Sequence, residues 1–378
     1  MTKQAFLDEL NRLTAGLTEQ ERTRLTEYYS EMIDDRVEEG VPEEEAVAAM
    51  GSPADIAGAF PSERPAAPSA SSEEVAALRH LRVRVFNADV TVVREPLSGG
   101  AAAQLRFSDP TRFTWRMEGD TLAVEEPEPE GGHRGLRWLM QVIGLHDVEV
   151  TVALADALPG DLTFNSKGGD LRVENVALGS ADLHTASGDI KLASVACGAA
   201  FQMSGGTPRL VDVQPAELRV HTASGDVEAR DVRVNGPARL ESASGDIELR
   251  SFDCDGLTLT TASGDIEIDR GACGATSLRT ASGDVRMDEV ETDPQLTVQT
   301  ASGDVELNRC IARDTRVTTA SGDVEMLLEP LPCGYDIGVN SVSGDIHFDD
   351  GCAGPSDDLQ PTIAVKTVSG DIEARVAR

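Results

Sequence analysis

The sequence predicts a mainly β protein: a parallel β-solenoid (β-helix-like) of about eleven stacked 19–20-residue rungs, with a small N-terminal α-helical domain. Three observations predict it. The hexapeptide Thr-Ala-Ser-Gly-Asp-Ile/Val recurs at near-constant spacing through the C-terminal two-thirds of the chain. Within each repeat, apolar and polar residues alternate with period two. Aromatics make up only 4% of the 378 residues while glycine contributes 35, which suits a narrow core of Val, Ile, Leu, Ala and Thr.

Residues 1–60 read as helices. Phe6, Leu7, Leu10 and Leu13 (or Leu10 and Leu17) keep helical spacing, and Thr18-Glu-Gln-Glu21 has the form of a capping box. The following helix places Leu25, Tyr28, Tyr29, Met32, Ile33 and Val37 on one apolar face. Gly40 supplies a left-handed stop, and Pro42 suits the first turn of a third helix that carries Ala46, Val47 and Met50 and stops at Gly51. Ser52-Pro-Ala-Asp55 opens a further capped start leading to Ile56 and Phe60. These sixty residues hold 14 Asp/Glu and 5 Lys/Arg. Their apolar face is small, so two readings stand together: a self-contained bundle, or a head completed by a partner or a second copy. Tyr28, Tyr29 and Met32 are its candidate interaction residues.

Residues 61–78 form a Pro/Ala/Ser-rich linker. From 79 to 165 the pattern is β but irregular. Leu81–Val85, Val90–Val93, Ala103–Phe107, Phe113–Met117, Thr121–Val124 and Val148–Val152 alternate with period two and are expected to open and cap the solenoid. The 125–147 insertion is Pro/Glu/Gly-rich, then amphipathic around Trp138, a further candidate interaction residue whose segment reads more simply as a helix closing a core.

The regular repeat occupies 166–378. Its motif aspartates are Asp170, Asp189, Asp226, Asp246, Asp265, Asp284, Asp304, Asp323, Asp345 and Asp371, with Thr207 in the equivalent place in Ser204-Gly-Gly-Thr207. Spacings are 18 to 20 until the last two, which are 22 and 26. In the unit beginning at Leu296, inward Leu296, Val298 and Thr300 lead to a Ser-Gly-Asp corner, after which Val305 and Leu307 alternate with Glu306. Each strand buries one face only, so units must stack strand on equivalent strand. The corner glycines are expected to take positive φ, and Ser and Asp to bond nearby amides and hold the corner. The Thr/Ser four residues before each Asp should point inward, with hydroxyls that bond one another along the stack.

Composition excludes several functions. A formal net charge of −33 argues against binding a nucleic-acid backbone or an anionic lipid surface. No basic-then-apolar leader opens the chain, and no run approaches the ~20 apolar residues of a membrane span, which points to a cytoplasmic protein. The six cysteines (Cys197, Cys254, Cys273, Cys310, Cys333, Cys352) include no CxxC pair, which disfavours zinc and favours buried free thiols. Cys254 and Cys273 each follow their motif Asp by eight residues on adjacent rungs, which would set them ~5 Å apart, within disulfide reach. The aspartate ladder would space carboxylates ~5 Å apart, as in retaining glycosidases. An active site is one unique constellation, however, and every rung here carries the same residue. One carboxylate per corner is also too few ligands for calcium. No cofactor is expected.

The repeated Thr-Ala-Ser-Gly-Asp-Ile/Val, preceded by a β segment ending in Ala157-Leu158-Pro159, resembles the bacterial putative-adhesin β-strand-repeat family over roughly 79–378. Residues 1–60 resemble the HAAS helical signalling domain through Phe6-Leu7-Asp-Glu-Leu10, Glu27-Tyr-Tyr-Ser-Glu, Glu38-Glu-Gly40, Glu44-Glu-Ala46 and Met50-Gly-Ser-Pro53. The second resemblance implies a partner of the PadR-like transcription-regulator class. Neither family brings catalytic residues. The reading is a non-enzymatic signalling or scaffold protein, its head binding a regulator or itself and its acidic solenoid presenting a binding surface. The alternatives are a cell-surface or envelope adhesin-like binding protein and, disfavoured, a carbohydrate-active β-helix enzyme.

Overall fold

The computed structural model describes residues 1–15, 19–38, 40–57, 72–75, 77–127, 148–331, 333–349 and 360–377. The chain forms two compact units, one of Met1–Ser72, Phe107–Phe113 and Pro127–Glu149, the other of Glu73–Arg106, Thr114–Glu126 and Val150–Arg378. A short strand, Ser72–Val75, falls inside the stretch read as a linker. The capping-box Thr18 and most of the 125–147 insertion, Trp138 included, lie outside the described residues.

The first unit begins with four helices: α1 (Lys3–Leu13), α2 (Glu19–Glu38), α3 (Glu43–Ala48) and α4 (Pro53–Ala57). Thr2 Oγ1 accepts the Ala5 N–H and caps α1, and Ser52 Oγ accepts from Ala54 and Asp55 at the start of α4. Gly40 and Gly51 take φ of +91° and +90°, the left-handed stops expected of them. Pro42 stands at the N-cap of α3, one place before the first turn. Phe6, Leu7, Leu10, Leu25, Tyr29, Ile33, Ala46, Val47 and Ile56 form one buried cluster, so the helices close a small core of their own. Val37 does not join it and is 41% exposed. Periodicity assigns a face to a helix, not the length of that face a neighbour covers, and α2 with 20 residues outruns the 11 of α1.

The second unit is the solenoid. Its regular strands are longer than the repeat suggested: Val227–Ser242, Ile247–Thr260, Ile266–Arg279 and Val285–Gln299 each run almost from one motif corner to the next. They stay continuous because they bend at a second corner, five residues after the motif aspartate. There Asn175, Ser194, Asp212, Asp231, Ser251, Arg270, Glu289 and Arg309 all adopt φ between 52° and 60°. A register shift a few residues on, between Val234 and Pro237 or Cys273 and Thr276, makes the third bend. One rung thus turns three short faces inward: Ile247 and Leu249, then Phe252 and Cys254, then Leu257, Leu259 and Thr261. Stacking is parallel and like on like, with Ile247 on Ile266, Leu249 on Ile268, Cys254 on Cys273 and Leu259 on Leu278.

Both ends depart from sequential stacking. Near the start, His80–Arg84 lies between Leu158–Ser166 and Thr121–Glu125, the latter folded back on Thr114–Glu118 as an antiparallel pair. At the other end, Thr362–Ser369 pairs with Ile311–Thr318 on one side and Asp336–Ser343 on the other, and Ile372–Val376 likewise separates Val324–Leu328 from Ile346–Phe348. The last rung in sequence is therefore the penultimate rung in space. The repeat makes every rung interchangeable, so its pattern does not encode order. The longer spacings of 22 and 26 fall at the two places where stacking order departs from sequence order.

Candidate functional site

The aspartate ladder is the most regular polar feature, and its bonding defines its chemistry. Where one motif aspartate stacks on another, Oδ1 of the first accepts the backbone N–H of the second; the series is interrupted at Thr207, which stands between Asp189 and Asp226. Asp189 donates to Asp170, Asp246 to Asp226, Asp265 to Asp246, Asp284 to Asp265, Asp304 to Asp284 and Asp323 to Asp304, all at 2.8–2.9 Å. The exchanged rungs obey the same rule in spatial order: Asp371 donates to Asp323 at 2.7 Å and Asp345 to Asp371 at 2.8 Å. The carboxylates thus hold successive rungs together rather than their own corner, as the sequence had suggested. A hydrogen bond to a charged acceptor is the stronger kind, and each one keeps an amide at the turn satisfied.

The threonine column is buried as expected, from Thr222 at 1% exposure to Thr300 at 8%. Its hydroxyls do not bond one another. Thr261 Oγ1 accepts the Gly264 N–H in its own corner and donates to Gly245 O in the rung beneath, both at 3.1 Å. Thr280 and Thr300 repeat the pattern. A hydroxyl has one proton and two lone pairs, so one group joins two corners where a hydroxyl chain would leave the amides unpaired.

The corner glycines answer to packing rather than to a left-handed backbone. Gly264 and Gly283 are not among the positive-φ residues, but a Cβ on Gly264 would fall 2.1 Å from Gly245 O, and one on Gly283 would fall 1.9 Å from Gly264 O. Only at the break in the repeat do corner glycines take φ near the left-handed helix: Gly205 at +81° and Gly206 at +64°.

Three elements escaped the sequence pattern. Asp89 begins the ladder, accepting the Asp170 N–H at 2.8 Å. Its corner, Asn87-Ala88-Asp89, lacks glycine and lies far upstream of Asp170, so a search by spacing passes over it. Glu126, only 6% exposed, accepts the amides of Phe86, Asn87 and Ala88 at 2.8–3.2 Å at that same corner. Nothing local in the sequence announces it, because it acts on residues some forty positions upstream. The third is a constellation beside the break: His184 Nε2 lies 2.9 Å from Asp182 Oδ1 and His184 Nδ1 lies 2.7 Å from Ser204 Oγ. These are the residue types of a hydrolytic triad. The His and Asp side chains are about half exposed, and the Gly205 N–H that follows the serine donates to His221 O, which removes the nearest oxyanion donor. Among the described residues no group of three or more His, Cys, Asp or Glu is arranged to hold a metal ion, and no helix is long and apolar enough to cross a membrane.

In the helical head, Tyr28 and Met32 are half-buried at the edge of the core. Tyr29, read from the sequence as an interaction candidate, is 4% exposed; its ring packs against Phe6 and Tyr28 with centroids 5.6 and 5.4 Å away, so it serves the core.

Comparison with known proteins bears on both parts. Residues 5–59 match the HAAS family model, and residues 80–309 and 276–378 match Toastrack DUF4097. No curated protein matches the chain. Similar solved structures include a putative lipid binding protein of Parabacteroides distasonis, at 14% identity and a TM-score of 0.35, covering 83% of this chain and 98% of that one. A putative adhesin of the same species stands at 11% and 0.32, covering 82% and 96%. A putative adhesin of Bacteroides fragilis stands at 9% and 0.26, covering 81% and 97%. With the family model spanning the whole stacked-rung region, the chain belongs to the Toastrack DUF4097 family.

Proposed function

We propose that the chain is a non-enzymatic binding scaffold. The observation that carries this reading is the occupation of the motif carboxylates: one after another, they accept a backbone amide of the neighbouring rung. A carboxylate committed to the backbone on rung after rung is an architectural device and sets none of those rungs apart as a reaction centre. What remains for function is a long acidic surface and a helical head with a closed core.

The head is the partner-binding part, engaging a regulator of the PadR-like class or a second copy of itself. Its half-buried Tyr28 and Met32 and exposed Val37 form the apolar margin beside the core, where a docked helix would gain contact without unfolding the bundle. The absence of any long apolar helix among the described residues is compatible with a cytoplasmic site of action.

The test is crosslinking and mass spectrometry of the full chain in its own cells, with Val37→Lys and Met32→Lys as the altered forms. The reading expects a specific partner, crosslinked through residues 1–57 and lost in both variants while circular dichroism is unchanged. Partners crosslinked only through the rungs would overturn the assignment to the head. Protease cleavage of the protein on intact cells would support the adhesin-like alternative.

A further inference from the structure

We infer that Cys254 and Cys273 form a modification site, a pair of core thiols in adjacent rungs that a peroxide converts into an intramolecular disulfide.

The pairing is set by the fold. Cys254 and Cys273 are direct partners in the parallel register, each at the same place in its rung, and they are 7% and 6% exposed. Adjacent parallel strands stand ~4.8 Å apart, inside the 4.4–6.8 Å range of Cα separations that disulfides span. Among the described residues no other two cysteines are register partners: Cys197, for example, stacks on Pro215.

The rungs are also drawn together at this point. A Cβ on Gly271 would lie 2.2 Å from Phe252 O, and one on Gly274 would lie 1.7 Å from Asp255 O. Those two glycines flank Cys273 and face the residues that flank Cys254. The Ala272 N–H adds a bond to Asp253 Oδ1 at 3.0 Å, and the Cys273 thiol lies 3.5 Å from Phe252 O. The backbone that carries the two cysteines is therefore held in register on a shared stretch of core.

The acidities of the two thiols shift in opposite directions. Interaction with the neighbouring Cys273 thiol lowers the pKa of Cys254 against the opposing effect of burial, while Cys254 and burial together raise that of Cys273. Cys197 and Cys310 are not activated in this way, since burial raises Cys197 and pushes Cys310 up to about 12. In the proposed step Cys254, on the lowered side of the pair, takes the attacking role. Its thiolate attacks one oxygen of hydrogen peroxide, the O–O bond breaks, and the hydroxide that leaves takes up the proton given up by the thiol, forming water and Cys254 sulfenic acid. The Cys273 sulfur then attacks that sulfur, the S–O bond breaks, and a second water departs with the Cys273 proton. Two thiols and one peroxide give one disulfide and two waters. Peroxide is small enough to enter at residues that are only 7% and 6% exposed, which a bulky disulfide reagent is not.

The test uses the purified full chain treated with hydrogen peroxide, with thiols counted after denaturation. The expected count falls from six to four, dithiothreitol restores six, and peptide mapping finds Cys254 joined to Cys273. Cys254→Ser abolishes the loss, while Cys197→Ser still loses two, from five to three. A count that stays at six overturns the inference. So does a bond mapped elsewhere, or a Cys254 driven to sulfinic acid without pairing. The wild-type peptide map decides the matter even if the Cys254→Ser chain fails to fold.

Discussion

Asp265 Oδ1 accepts the backbone N–H of Asp284 at 2.8 Å, and this one bond, repeated from rung to rung, is the axial tie of the motif corner. Replacing Asp265 by Ala leaves the Asp284 amide without its acceptor at a cost of about 1 kcal/mol. Asp265→Asn keeps an oxygen in place and costs roughly half as much. Hydrogen exchange should show the Asp284 amide losing protection in the first variant and largely keeping it in the second. Equal protection in both would mean that the carboxylate is not the tie.

Gly264→Ala should be far worse than its size suggests, because the added methyl would lie 2.1 Å from Gly245 O, a backbone atom that cannot swing aside. The expected loss is about 1–3 kcal/mol or more, read from the urea midpoint. Gly338→Ala is the control: nothing lies within 4 Å of a Cβ there, and it should be close to neutral.

The second corner makes the opposite demand. Arg270 holds φ of 60° with a full side chain. Arg270→Val places a β-branched residue in a left-handed conformation and should destabilise the solenoid by about 1–2 kcal/mol, whereas Arg270→Asn should be tolerated. Thermal unfolding of the two variants separates the outcomes.

Truncation tests the exchanged rung. Removing 361–378 takes away the strand that joins Ile311–Thr318 to Asp336–Ser343, so the rung before it in sequence should melt as well. Hydrogen exchange should then find 336–348 unprotected. Continued protection of 336–348 would show that this rung can stack directly on 311–328.

Ser204 tests the scaffold reading. A fluorophosphonate should leave it unlabelled, because the Gly205 amide is engaged with His221 O and the His184 and Asp182 side chains are about half exposed. Labelling abolished by His184→Ala would make this constellation a working nucleophile.

Much of this was legible in the residues. Motif spacing gave the rungs, the Thr-x-x-Gly-Asp corner located the turn, and helical periodicity found most of the head core. Asp89 and Glu126 were not legible, since their partners lie about eighty and forty residues away and neither stands in the repeated motif. The Asp182–His184–Ser204 contact was hidden for the same reason: Ser204 becomes the neighbour of His184 only when one rung lies on the next.

The amino-acid sequence by itself determined that this protein is a stack of near-identical β rungs with a helical head, because a half-buried strand repeated at constant spacing can bury its apolar face only against its own copies. The tertiary structure alone decided what each motif residue does and in what order the rungs lie. The glycines answer to a carbonyl in the next rung, the left-handed corners fall on residues with side chains, and the final rung slips in before the one that precedes it. These are relations between chains of atoms about 4.8 Å apart in space, and a pattern that is the same in every rung carries no label saying which rung comes next.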